Sequence, residues 1–147
     1  MTKSSGRTFS GRGLSAGRTR GPALVLSEPL SFWGGVDPAS GTIVDAHHPQ
    51  RGAELTGRVV VMPGGRGSSS SSSVLAECVR ARTAPAALIL AQPDAILAVG
   101  AFVARELYGR ECPIVLLHPS AYTAITTGAL VDVRADAEAA TVRVEPA

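Results

Sequence analysis

The sequence predicts one α/β domain built as three layers, β/β/α, with a small parallel sheet and additional antiparallel strands. Three observations predict it. The chain has 147 residues, 45% of them apolar and only 4% aromatic, enough for a single aliphatic core. Three short β-branched or aliphatic runs, "GRVVVM" (57–62), "AALILA" (86–91) and "PIVLLH" (113–118), alternate with two helix-like segments. Strand, helix, strand, helix, strand calls for parallel strands joined by right-handed crossovers. The flanking segments, 7–47 and 129–145, read instead as antiparallel strands that pack as a second layer. No repeat divides the chain, so residues 7–147 are expected to form one domain behind a tail at 1–6.

The elements follow in order. Lys3, Arg7, Arg12, Arg18 and Arg20 all precede the first acid, Glu28. This basic segment reads as a solvated, partly disordered tail, or as an arm that docks on a partner. A strand is centred on Ala23–Leu26 and stops at Pro29. The loop-rich stretch that follows holds the turn "DPASG" and a short strand candidate, "TIVDA". Strand 57–62 ends at Pro63. Val74, Leu75, Cys78 and Val79 then fall on one helix face, with Glu77, Arg80 and Arg82 on the other, and the helix stops before Pro85. Asp94 caps a helix running to Tyr108, where Gly109 ends it. A short helix, "SAYTAITT", ends at Gly128, and "ALVDVRA" and "ATVRVE" alternate in period two as a closing hairpin.

Composition narrows the function. A formal charge of +2 gives no footprint for nucleic acid. The longest apolar run, 95–104, is about half a membrane span, and no apolar signal region follows the N-terminus. The two cysteines, Cys78 and Cys112, lack metal-ligand spacing and read as buried thiols. A reducing, cytoplasmic setting without membrane association is the expectation.

The informative stretch is "PGGRGSSSSSS" (63–73), which joins a parallel strand to its crossover helix. Ligands of α/β sheets bind at such turns, where free N–H groups and the positive end of a helix dipole converge. Gly64, Gly65 and Gly67 would let backbone approach a ligand closely. Six successive serines exceed what capping requires, since serine is a mediocre helix former. No lysine follows in Walker A spacing, and a plain linker would not abut strong elements at both ends. The remaining reading is an anion- or oxyanion-binding turn with a reactive serine.

"SEPLSFWGGVDPASGTIVDAHHPQRG" followed by "GRVVVMPGGRGSSSSSSVLAE" resembles the small, swivelling subunit of the aconitase X family, over about residues 8–133. The resemblance implies a swivelling β/β/α domain that assembles with a large catalytic subunit of aconitase X type into a dehydratase. It implies Ser68 as the catalytic base, and Gly65, Arg66, Gly67, Ser69 and Ser70 as substrate-binding residues. Aconitase has arginine directly after its two serines where this chain has Ser70, so carboxylate recognition must differ, and Arg66 is the candidate substitute. It implies no cofactor on this chain and an iron or iron–sulfur cluster in the large subunit. The implied substrate is a small hydroxy acid. Cis-3-hydroxy-L-proline, dehydrated to 1-pyrroline-2-carboxylate, is preferred, with mevalonate 5-phosphate as the alternative. A non-catalytic swivelling carrier, such as a phosphohistidine shuttle, and a purely stabilising subunit are the rivals from other classes.

Several residues keep two readings. Phe32, Trp33, Gly34 and Gly35 form an apolar loop tip, read as a core anchor or a subunit contact. Asp37 is a turn former or a site-edge residue. His48, beside His47, makes a structural hydrogen bond or lines the substrate edge. Glu28 is a solvated carboxylate or lines the site, and His118 reads as structural.

Overall fold

The computed structural model describes residues 6–146, so the expected tail at 1–6 lies outside the described residues apart from Gly6. The elements are β1 (Arg7–Ser15), β2 (Gly17–Val25), a kinked helical turn α1 (Phe32–Gly35), β3 (Val36–Asp37), β4 (Thr42–Ile43), β5 (Val59–Met62), α2 (Ser71–Ala81), β6 (Ala87–Leu90), α3 (Ala95–Tyr108), β7 (Ile114–Leu116), a one-turn α4 (Pro119–Tyr122), β8 (Leu130–Ala135) and β9 (Ala139–Glu145). Seven strands close a barrel in the order β1-β7-β6-β5-β2-β8-β9, and β3 and β4 pair separately.

One wall of the barrel is parallel: β2 with β5, β5 with β6 and β6 with β7. The other is antiparallel, through the pairs of β8 with β2, β9 with β8 and β1 with β9. The β/β/α layering is therefore present, and the two β layers are continuous with each other around the barrel. Strand alternation divides the apolar residues between two cores. Val59, Val61, Ala87, Ile89, Val115, Val131, Val133 and Val142 fill the barrel. Val60, Met62, Leu88 and Leu90 face outward and pack with Leu75, Cys78, Leu97 and Ala101 of the crossover helices. Each fully buried leucine in that layer contributes about 2 kcal/mol by burial.

The basic segment corrects the tail reading. Arg7 and Arg12 lie in β1 and Arg18 and Arg20 in β2, the two longest strands; Lys3 is outside the described residues. Glycine and arginine suggested disorder, but the glycines are what the barrel requires. A Cβ at Gly11 would stand 2.6 Å from the carbonyl oxygen of Leu116 on the neighbouring strand. The arginines stay at the surface, where Arg20 reaches Glu145 at 3.7 Å. The last helix is shorter than expected, with only Pro119–Tyr122 helical before turns lead to Gly128.

α2 and α3 pack against each other, with Gly100 tight against Ser72, where a Cβ would meet the Ser72 carbonyl oxygen at 2.5 Å and its Cα at 2.9 Å. Helix propensity alone would make Gly100→Ala stabilising by about 1 kcal/mol. Backbone on the facing helix reverses the sign, so the substitution should lower unfolding free energy by about 1–3 kcal/mol. A guanidinium denaturation midpoint at or above that of the unsubstituted chain would contradict this packing.

Candidate active site

Because β5 and β6 run parallel, the helices that follow them both begin on the same side of the barrel. A cavity of about 330 Å³ opens between those beginnings. Gly65, Arg66, Gly67, Ser68 and Ser71 line one side, Pro93–Leu97 the other, with Leu30 and Phe32 completing the wall. The positive ends of two helix dipoles thus converge on one space. The turn needs its glycines. Gly67 has φ 95°, a conformation that disfavours other residues, and its absent Cβ would sit 2.6 Å from Ser31 Oγ. A Cβ at Gly65 would collide with Asp94 Oδ2.

The serine run resolves into distinct tasks. Half-buried Ser68 accepts the Ser70 N–H at its Oγ (3.0 Å) and the Ser71 N–H at its carbonyl (3.0 Å). It therefore performs the capping work, whereas Ser70, next to the first helical residue, has helical φ and ψ and makes no side-chain cap. A tight turn leads into α2, with Ser72 N–H donating to Ser69 O (3.3 Å) and Ser73 N–H to Ser70 O (3.1 Å). Ser71, 4% exposed, accepts the Trp33 N–H at 3.0 Å. Ser72 Oγ donates to Ser69 O at 3.0 Å. Among the described residues, no hydrogen bond engages the N–H groups of Gly67, Ser68 or Ser69. They are donors available to an anion.

Arg66 stands exposed at the rim, its Nη2 3.9 Å from Glu28 Oε1, with both side chains about half exposed. A pair so placed is worth at most about 1 kcal/mol. Glu28 is fixed from the opposite direction. Buried His48 accepts the Gln50 N–H at Nδ1 (3.0 Å), which leaves its proton on Nε2 to donate to Glu28 O at 3.2 Å. Gln50 adds two bonds, accepting from Ser27 N–H and donating to Val25 O, each at 2.8 Å. His48 thus does not line the cavity, but it holds the strand end that carries Glu28.

Asp37 does not line this cavity. Its carboxylate accepts from Ala39 N–H and Ser40 Oγ, each at 3.0 Å, in the "DPASG" turn. The next residue, Pro38, accepts from Thr83 Oγ1 (2.7 Å), which lies beyond the C-terminal end of α2, away from Ser68. The apolar tip divides: Phe32 is 1% exposed and anchors the core, while Trp33 is 58% exposed. His118 caps α4 by accepting the Ser120 N–H at 3.2 Å, and exposed His47 takes no part in the cavity. Asp94 was legible only as a cap, a role it fills by accepting the Leu97 N–H at 2.9 Å; its place in the cavity wall was missed.

Cys78 and Cys112 are free and buried, away from the cavity lining. Burial pushes the Cys78 thiol up to about 11 and the Cys112 thiol up to about 12. Among the described residues, no group of three or more His, Cys, Asp or Glu could hold a metal ion. The cavity's hydroxyls and single carboxylate, with neither thiol nearby, do not fit an iron centre or an iron–sulfur cluster. Among the described residues, no helix is long and apolar enough to cross a membrane.

Residues 8–144 match the family described as the aconitase X swivel domain. The chain belongs to that family. It is 53% identical over 106 residues to the cis-3-hydroxy-L-proline dehydratase of Pseudomonas aeruginosa, which covers 72% of this chain and 18% of that protein. The chain thus spans under a fifth of the hydroxyproline dehydratases it matches. It is 46% identical over 93 residues to the phosphomevalonate dehydratase small subunit of Methanothermobacter thermautotrophicus, covering 63% of this chain and 71% of that subunit. The crystal structure of Thermococcus kodakaraensis aconitase X in its holo-form superposes with a TM-score of 0.83 at 32% identity, over 96% of this chain and 100% of that one. The family match reaches past the motif-bearing stretch into β9, so the closing hairpin belongs to the same unit.

The thiol positions carry a pH consequence. With folded values raised from 9.0 to about 11 and about 12, the unfolded chain loses these protons first as pH rises. Stability should therefore be level below about pH 9 and fall above it. At pH 8 neither thiol should react with iodoacetamide until denaturant is added, and rapid labelling of the folded chain would contradict their burial.

Proposed function

We propose that this chain is the swivelling small subunit, or domain, of a hydro-lyase that dehydrates a small hydroxy acid, with cis-3-hydroxy-L-proline the preferred substrate. One observation carries the reading: Ser68 lines the cavity on which two helix N-termini converge. Serine is a weak base in water and needs its alkoxide stabilised. The Ser70 N–H on Ser68 Oγ, the dipole end of α2 and Arg66 at the rim favour a negative charge there, against the Asp94 carboxylate that caps α3 across the cavity. Ser68 would take the proton from the carbon beside the substrate carboxylate, that C–H pair would become the new double bond, and the neighbouring hydroxyl would leave. Free N–H groups of Gly67 and Ser69, with Gly65 allowing close approach and Ser70 supporting Ser68, would hold the carboxylate.

This arrangement leaves the departing hydroxyl to a second protein part. We assign that part to a large catalytic subunit of aconitase X type, which would also hold any iron or iron–sulfur cluster. Exposed Trp33, whose N–H is tied to Ser71 at the start of α2, is our candidate contact for it. The two free buried cysteines suit a reducing, cytoplasmic location. The phosphomevalonate dehydratase relatives make mevalonate 5-phosphate the second substrate to test.

Co-expression with a large subunit, followed by parallel assays of both substrates, tests the reading. Water loss from cis-3-hydroxy-L-proline is the expected result. Ser68→Ala in the assembled enzyme should lower kcat by about 10²–10⁴-fold while the complex still forms. Turnover close to that of the unsubstituted enzyme would return this chain to a carrier or stabilising role.

A further inference from the structure

The stretch from Ser27 to Gln50 takes no part in the chemistry above, yet it builds a rigid platform beside the cavity. Leu26 and Leu30, each 1% exposed, anchor both sides of Glu28, and the Leu26 N–H donates to Val61 O at 2.7 Å. The His48 and Gln50 bonds fix Val25, Ser27 and Glu28 from the other direction. The platform therefore fixes the main chain of Glu28 at the rim, and its carboxylate stands 3.9 Å from the Arg66 guanidinium that lines the cavity. Both side chains remain about half exposed and weakly paired, so exchanging this contact for a ligand's charges costs little.

We propose that Glu28 and Arg66 are a paired-charge receptor that selects a zwitterionic α-amino acid substrate. Arg66 at the rim joins the free N–H groups of Gly67 and Ser69 in taking the ligand carboxylate, and Glu28 takes the adjacent ring ammonium. An α-amino acid carries these opposite charges one carbon apart, so a contiguous carboxylate and guanidinium can be satisfied together. A polyanion has no cation to offer, and its second charge is left facing the Glu28 carboxylate. Glu28 is thus a specificity-determining residue, with His48 and Gln50 as positioning residues behind it. The inference rests on the amino-acid reading of the site given above.

Two ring acids of matching shape test it on the assembled complex: L-proline, and (S)-tetrahydrofuran-2-carboxylate, in which oxygen replaces the ring ammonium. Neither carries the hydroxyl that would leave, so binding is read by calorimetry without turnover. L-proline should bind about tenfold more tightly, the worth of one partly exposed charge-assisted contact. Glu28→Gln should bring the two affinities within about twofold and tighten binding of mevalonate 5-phosphate, with the melting temperature of the complex retained; Glu28→Asp should keep part of the preference. Equal affinities in the unsubstituted complex, an unchanged preference in Glu28→Gln, or no binding of L-proline overturns the proposal. Dehydration of cis-3-hydroxy-L-proline, measured on the same complex, separates the two readings. Turnover without the preference removes the charge receptor alone, and the preference without turnover removes the dehydratase assignment alone.

Discussion

The parallel pairing of β5 with β6 is the constraint from which the site follows. Two parallel neighbours must each be followed by a crossover on the same face, so α2 and α3 have to start together. Converging starts leave several N–H donors and two positive dipole ends in one place, with Asp94 taking up the Leu97 N–H of the second helix. The register Val59↔Ala87 through Met62↔Leu90 sets how far apart those starts lie, and the glycine at position 65 lets Asp94 of the second helix approach the turn of the first. Slipping that register by one residue would exchange Val60 and Leu88 between the barrel interior and the helix layer, so the core itself holds the cavity open.

Stability and site geometry pull against each other within a few residues. Serines at 71–73 begin α2 less favourably than alanines would, and glycines at 64, 65 and 67 add conformational freedom to the unfolded chain. The surrounding structure offsets this through the fully buried Leu75, Cys78, Leu97 and Ala104 and the close contact of the two helices at Gly100. The polar turn is local, and it is seated on a layer in which almost every side chain is aliphatic.

How much of this was legible in the sequence depended on whether the signal was local. Strands at 57–62, 86–91 and 113–118, the Asp94 cap and the Gly109 stop all depend on neighbours a few residues away, and the structure has each of them. The turn stood out because six serines after three glycines exceed any capping need, whereas Ser68 within it was singled out only by the family resemblance. The strands through Arg7, Arg12, Arg18 and Arg20 were legible only as an unplaced antiparallel flank that competed with a tail reading, because their glycines signal flexibility until a neighbouring carbonyl is known to sit against them. Asp94 could be assigned a cap but not a cavity, since its nearness to Gly65 is a product of strand register. The His48 link to Glu28 spans 20 residues and needs the path of the whole intervening loop. Asp37 was open to two readings because an Asx turn and a reactive carboxylate look alike in one dimension.

The closed circuit of strands has a mechanical corollary. Since β9 returns to pair with β1, the described strands of the barrel have no lateral margin to which another polypeptide could add a strand. Anything that grips this body must do so through side chains and loops, among which Trp33 and the outward Phe102 and Leu107 of α3 are the largest apolar handholds. Such contacts can be made and broken without disturbing a single rung of the ladder, which suits a unit that pivots as a solid piece.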